Sequence, residues 1–163
     1  MSDGIWRCSV VSAAAFIGAC AASPTLRQDR YDDIHFGMRL TEAEAKFGKA
    51  HVYDDPDTGC YMVGFKRLPD VTFMVESGII TRADVGRRTK TALGIRIGDS
   101  ARKVERRFPD ARIEPHKYYD EGHYYAIGPR DGATEFVLEE NEGRIVAIRA
   151  GVKPSVEYVE GCL

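Results

Sequence analysis

The chain has 163 residues, 44% hydrophobic and 29% charged, with a formal charge of −2. That length allows one domain, or two small ones sharing a core. The basic residues form no run longer than Arg87-Arg88 with Lys90 nearby, so the stripe that nucleic-acid binding requires is missing. No segment approaches the roughly 18 apolar residues of a membrane-spanning helix. The four cysteines, Cys8, Cys20, Cys60 and Cys162, lack Cys-x-x-Cys spacing, which argues against a zinc ribbon or a thioredoxin-type site.

Residues 1–23 read as an address. Arg7 and the amino terminus give a weakly positive start, offset by Asp3. Cys8 to Ala19 is a small-residue apolar stretch of signal-peptide length, closing in Ile17-Gly18-Ala19-Cys20. That ending resembles the bacterial lipobox: a branched apolar residue, two small residues, then the cysteine that carries diacylglycerol. It implies removal of residues 1–19 and acylation of Cys20. Each buried acyl methylene then adds about 0.8 kcal/mol of membrane affinity. An ordinary secretory signal is the alternative, because Ala19-Cys20-Ala21 also satisfies a small-x-small cleavage rule. By resemblance to enterobacterial sorting, Ala21 rather than Asp after the cysteine points to the outer membrane, facing the periplasm. Residues 20–30, with Ser23 and Pro24, read as a flexible tether.

From residue 31 the chain resembles itself, with a first copy over 31–90 and a second over 91–163. Ile34-His35-Phe36-Gly37 is echoed by Ile95-Arg96-Ile97-Gly98, at an offset of 61. Gly37 to Phe47 and Gly98 to Phe108 both span ten residues. Each glycine lets the chain turn with positive φ. In the first copy Thr41-Glu42-Ala43-Glu44 has the form of a capping box, with Thr41 serving the helix amides and Glu44 reaching back. In the second, Asp99 or Ser100 can cap. Ala43 with Phe47, and Val104 with Phe108, lie four apart and share one helix face, which predicts that they face a sheet. Gly48 and Pro109 stop the helices.

Strands follow. Cys60–Phe65 and His123–Ile127 are aromatic and branched, each after a glycine. Val71–Glu76 and Thr134–Glu139 come next, aligning Phe73 with Phe136 and Val75 with Leu138. Turns at Ser77-Gly78 and Asn141–Gly143 lead to closing strands at Ile79–Arg82 and Arg144–Arg149. The expected fold is α+β: two tandem helix-plus-antiparallel-meander repeats forming a sheet with helices packed on one face.

This unit of glycine, capped helix, aromatic and meander resembles that of the β-lactamase inhibitor protein family, which carries two copies in tandem. A single copy resembles the SmpA/OmlA lipoproteins of outer-membrane barrel assembly. The resemblance covers Tyr31 to Gly151 on a handful of residues per copy. It implies a protein-docking module, although fold alone does not set function.

After export and acylation, Cys60 and Cys162 would remain as a pair, and an oxidising compartment favours a disulfide between them over two separately buried thiols. The alternating tail from Val156 could add a strand that positions Cys162.

Nothing in the sequence carries a catalytic signature. No serine elbow, Walker loop or Rossmann glycine pattern occurs, and no cofactor is expected. His116 and His123 bracket a tyrosine-rich hairpin and with Asp120 or Glu121 could form a metal site, but their spacing fits no familiar motif. The tyrosines are the stronger lead, because Tyr buries large area at low entropy cost in interfaces. Tyr61, Tyr118, Tyr119, Tyr124 and Tyr125 are the candidate partner-binding residues, and Tyr61 aligns with Tyr124. The rings could equally pack under the helices. The expected function is therefore a non-enzymatic envelope lipoprotein that binds another envelope or extracellular protein, as an assembly factor or an enzyme inhibitor. A small-ligand or carbohydrate binding protein is the alternative. A hydrolase would need perturbed acids, or a histidine-acid pair, converging in a cleft.

Overall fold

Alternation of apolar and polar residues decides which side of each strand is buried, and the computed structural model, described over residues 24–162, shows the result. Three two-residue strands come first: β1 (Thr25–Leu26), β2 (Arg30–Tyr31) and β3 (Ile34–His35). Helix α1 (Leu40–Phe47) precedes β4 (His51–Val52) and the meander β5 (Cys60–Gly64), β6 (Val71–Glu76) and β7 (Ile79–Val85). After β8 (Lys90–Thr91), α2 (Ala101–Arg107) leads to β9 (Arg112–Pro115) and the meander β10 (His123–Ile127), β11 (Thr134–Asn141) and β12 (Arg144–Val152). The fold is α+β. A small sheet runs β3-β2-β1-β8, and the eight-stranded main sheet runs β4-β5-β6-β7-β12-β11-β10-β9.

The meanders meet in the middle of the main sheet, where β12 pairs antiparallel with β7. One sheet face carries Val63, Phe73, Ala83, Phe136, Leu138 and Ile148, and these join Ala43 of α1 and Val104 of α2 in one core. Phe47 and Phe108 pack against it, as the four-residue spacing predicts. Leu26, Tyr31 and Ile34 of the small sheet complete it. On the other face, Tyr124 and Val137 cover Val156.

Matching main-chain bonds tie each helix start to a meander turn. Gly37 N–H donates to Ile80 O, and Gly98 N–H to Ile145 O, both at 2.7 Å. Leu40 N–H donates to Gly78 O, and Ala101 N–H to Gly143 O, both at 2.9 Å. Gly37 and Gly98 have φ of 96°, which a side chain would resist. The expected side-chain caps are therefore replaced. Neither helix has one, because turn carbonyls already take amides at the helix start. Glu44 does not reach back to Thr41; it accepts from Ala50 N–H and pairs with Lys49, which holds its carboxyl below the usual range. Asp99 likewise accepts from Arg96 N–H and pairs with Lys103.

Three further expectations are corrected. Residues 24–30 are not tether: Leu26 is fully buried, and β1 pairs in parallel with β8. The tail after Pro154 is a 3-10 turn over Ser155–Glu157, not a strand. The alignment of Phe73 with Phe136 gives way to a different spacing: Phe73 pairs with Ala83 as Leu138 pairs with Ile148, both 65 apart. The loops before the hairpins differ in length, so an offset read at the helices does not extend to the strands.

Cys60 and Cys162 form a disulfide with Cα atoms 5.4 Å apart, tying β5 to the end of the tail. The signal segment and Cys20 lie outside the described residues.

Candidate functional site

The sheet face without helices concentrates the unusual chemistry. Alternation along β11 and β12 puts Glu135, Val137, Glu139 and Arg149 on this side, opposite the core residues Phe136, Leu138 and Ile148. Arg149 is 2% exposed. Its Nε donates to Val156 O at 2.7 Å, and its Nη1 bonds Glu139 Oε1. Glu135 is 1% exposed and accepts from Arg112 Nη2, with Lys153 Nζ at 3.2 Å. Its neighbours across the sheet are glycines, Gly151 on β12 and Gly128 beyond β10, so the carboxylate lies between bare backbones. Both cations meet Oε2, while Oε1 is buried without a hydrogen-bond partner among the described residues, so the pair is only partly compensated.

The tail straps this face. Arg82 Nη1 donates to Tyr158 O at 2.7 Å, while Arg82 Nη2 is held by Asp84 at 2.7 Å. Ser155 Oγ donates to Glu76. Val156 is completely buried, and the disulfide ends the strap. Between the strap and the β9 edge lies a cleft of about 440 Å³, lined by Arg112, Glu114, Lys117, Tyr124, Glu135, Val137, Arg149, Glu157 and Val159 among others.

Above the cleft, the β9–β10 hairpin presents its tip. His116 is its keystone. Nδ1 accepts from Tyr118 N–H at 3.1 Å and Tyr119 N–H at 3.3 Å, so Nε2 carries the ring hydrogen and faces Glu139 at 3.6 Å. The ring stacks on Tyr124 at 4.4 Å and lies 4.5 Å from Tyr119. Gly122 is required here, because a Cβ would fall 2.8 Å from Glu140 O and 2.9 Å from His116 Cβ. Lys117 Nζ and the Tyr118 hydroxyl both donate to Glu160 of the tail. The Lys117 ammonium holds the Glu160 carboxyl below its usual range.

The five candidate tyrosines do not form one patch. Tyr118 and Tyr119 are 59% and 45% exposed. Tyr125 is buried among the core residues, its hydroxyl donating to Glu105 at 3.0 Å. Burial, then that carboxylate, push its phenol up to about 12. Tyr124 is buried on the opposite face beneath Val156, and burial raises its phenol too. Tyr61 packs against the main core and pairs with Val75. Tyr61 and Tyr124 therefore point to opposite sides of the sheet, which corrects their alignment. A one-residue register difference reverses the facing of a strand residue.

His116 and His123 do not converge. His123 Nδ1 lies 3.0 Å from Glu140, whose other oxygen accepts from Gly143 N–H, so that pair belongs to the β11–β12 turn. Among the described residues no group of three His, Cys, Asp or Glu is placed to hold a metal ion. Sequence reasoning missed Arg112, Glu135, Glu139 and Arg149. The available signal was charged residues at alternate positions of strands otherwise rich in apolar residues.

No family model matches the sequence, and no curated protein matches it. Among solved structures, the fold is similar to an extracellular protein containing a SCP domain from Bacillus anthracis, at a TM-score of 0.50 and 14% identity, covering 72% of this chain and 44% of that one. A cysteine-rich secretory protein from Staphylococcus aureus aligns at a TM-score of 0.46 and 14% identity, covering 77% and 46%. A DUF4309 family protein from Bacillus subtilis aligns at 0.46 and 10% identity, covering 71% and 78%. The chain spans less than half the length of the first two. The likeness is one of fold.

Proposed function

We propose that the protein is a bacterial cell-envelope lipoprotein that acts by docking another envelope or extracellular protein, with Tyr118 and Tyr119 at the centre of the contact. The observation that carries this reading is an exposed pair of large side chains on a hairpin tip that is internally fixed. His116 accepts both of their amides, and Glu160 accepts from the Tyr118 hydroxyl. Binding then costs little ordering entropy, since the surface is already shaped. The anchor is Cys20, acylated after removal of residues 1–19 and facing the periplasm from the outer membrane. The Cys60–Cys162 disulfide suits an oxidising compartment. The chain is two tandem copies of one helix-and-meander unit, like the β-lactamase inhibitor protein and SmpA/OmlA families. Support for this comes from the paired main-chain bonds of Gly37 with Gly98 and of Leu40 with Ala101.

The test has two parts. Intact mass of the membrane fraction from a bacterial host should give a species beginning at Cys20 with acyl mass added; a soluble species cut elsewhere removes the anchor. Immobilised protein should capture a partner from envelope extracts. The Tyr118→Ala/Tyr119→Ala double variant should lose it, since interface hot spots cost about 2 kcal/mol or more on truncation. Undiminished capture by a double variant with an unchanged melting curve would refute the tyrosine contact.

A further inference from the structure

We infer that the cleft on the strapped sheet face binds a small zwitterion of the short-peptide class, carboxylate end toward Arg149 and ammonium end toward Glu114 and Glu157. This goes beyond the docking reading and does not depend on it.

The cleft, at about 440 Å³, lies within the size range of small-ligand sites. Its most buried cation has unspent capacity. Arg149 is 2% exposed, with Nε given to Val156 O and Nη1 to Glu139. Its Nη2 has no partner among the described residues, and Arg149 lines the cleft. A guanidinium fixed on two sides with a third donor group free is pre-organised for a carboxylate, and charge-assisted bonds of this kind are the strong ones. Lys117, by contrast, is committed to Glu160, and Arg112 to Glu135.

The opposite charge waits at the rim. Glu114 and Glu157 line the same cleft and are exposed, and their carboxylates have no hydrogen bond or ion pair among the described residues. The lining carries Arg112, Lys117 and Arg149 against Glu114, Glu135 and Glu157, which sums to zero. A ligand of net charge gains nothing from that balance, whereas one with both charges, suitably spaced, meets both. Ala126, Val137 and Val159 add apolar wall to the cleft, with Ala126 and Val137 on the strands between Arg112 and Arg149, which suits small alkyl side chains.

The same geometry disfavours a sugar. Among the described residues, Tyr124 is the only aromatic residue lining the cleft. His116 stacks on it at 4.4 Å, and the Arg149 guanidinium lies over the ring at 5.8 Å. Tyr124 is 9% exposed, so little of the ring is open for a pyranose to stack on.

The experiment is an amide NMR titration of the full oxidised protein with trialanine, its C-terminal amide, its N-acetyl form and methyl glucoside. Trialanine should give saturable shifts at Glu114, Tyr124, Val137 and Arg149, and blocking either end should weaken binding about tenfold or more. Glu157→Gln, on an exposed side chain, should weaken trialanine and leave the acetylated form unchanged. Arg149→Lys should weaken the amide form less than trialanine. An acetylated form that binds as well as trialanine would make the ligand a protein C-terminus and overturn the proposal, as would saturation by the glucoside. So would the absence of saturable shifts with trialanine at millimolar concentration.

Discussion

Tyr124 and Tyr125 are adjacent in the chain and belong to different environments, one under the tail and one in the main core. The Tyr125 hydroxyl donates to Glu105, and ionisation would set the phenolate of a buried tyrosine beside the carboxylate of an exposed glutamate. Burial and this carboxylate push its phenol from 10.0 to about 12. The unfolded chain loses that proton near the ordinary value, while the folded chain keeps it. The stability Tyr125 contributes is therefore full below about pH 10 and is lost as pH rises toward about 12. Tyr31 and Tyr124, also raised, act in the same direction. Urea unfolding across this alkaline range should show stability falling with pH. Tyr125→Phe should make the fall shallower, because the substituted ring has no proton to lose. An unchanged slope in the variant would place the alkaline sensitivity elsewhere.

At the scale of elements, the joint between the meanders is the critical seam. Strand β12 meets β7 through Ile148 with Val85, Ala150 with Ala83, and Gly151 with Arg82. Gly151 allows close approach there: a Cβ would fall 2.5 Å from Thr81 O and 2.9 Å from the Arg82 Cα. Backbone cannot yield as a flexible side chain does. Gly151→Ala should therefore force the strands apart and cost about 1–3 kcal/mol, the ordinary range for overpacking. Thermal unfolding measures it. A larger loss would show that the displacement reaches Arg82, whose guanidinium holds the tail through Tyr158 O. The helices show the same dependence on neighbouring elements, since turn carbonyls rather than side chains meet their first amides.

Across the whole molecule, the disulfide closes a separation of 102 residues, from β5 in the first meander to the end of the chain. On the chain-entropy account a crosslink over a loop of this length contributes about 4.7 kcal/mol. Reduction, or a Cys60→Ser/Cys162→Ser variant, should lower the urea midpoint accordingly. The turn around Val156 should stay docked, because Arg149 Nε and Arg82 Nη1 hold it independently. Glu160, two residues from Cys162, should lose its fixed position against Tyr118. Crosslink loss would then soften the hairpin tip as well as lower global stability. Unchanged hydrogen exchange at Tyr118 and Tyr119 on reduction would separate the tip from the strap.

Much of this architecture was legible in the chain. Four-residue spacing placed Ala43, Phe47, Val104 and Phe108 on core-facing helix sides, and glycines at 37 and 98 marked positive-φ turns. Alternation located six strands of the main sheet, and cysteine arithmetic pointed to the pair that bonds. These are local signals, set by helical and strand periodicity and by backbone sterics. The short strands β1, β2, β3 and β8 lacked them, because two residues show no period; β1, β2 and β3 pair with near neighbours, and the β1–β8 pairing is long-range. Strand facing was likewise undecided until register was set, which is why Tyr61 and Tyr124 separated; of the five candidate tyrosines, Tyr118 and Tyr119 are exposed because they lie in the loop between β9 and β10. The cleft was invisible for the same reason. Arg112, Glu135, Arg149 and Glu157 come from different strands and the tail, and only tertiary structure, by choosing one strand order and one path for the strap, brings those charges to a common wall.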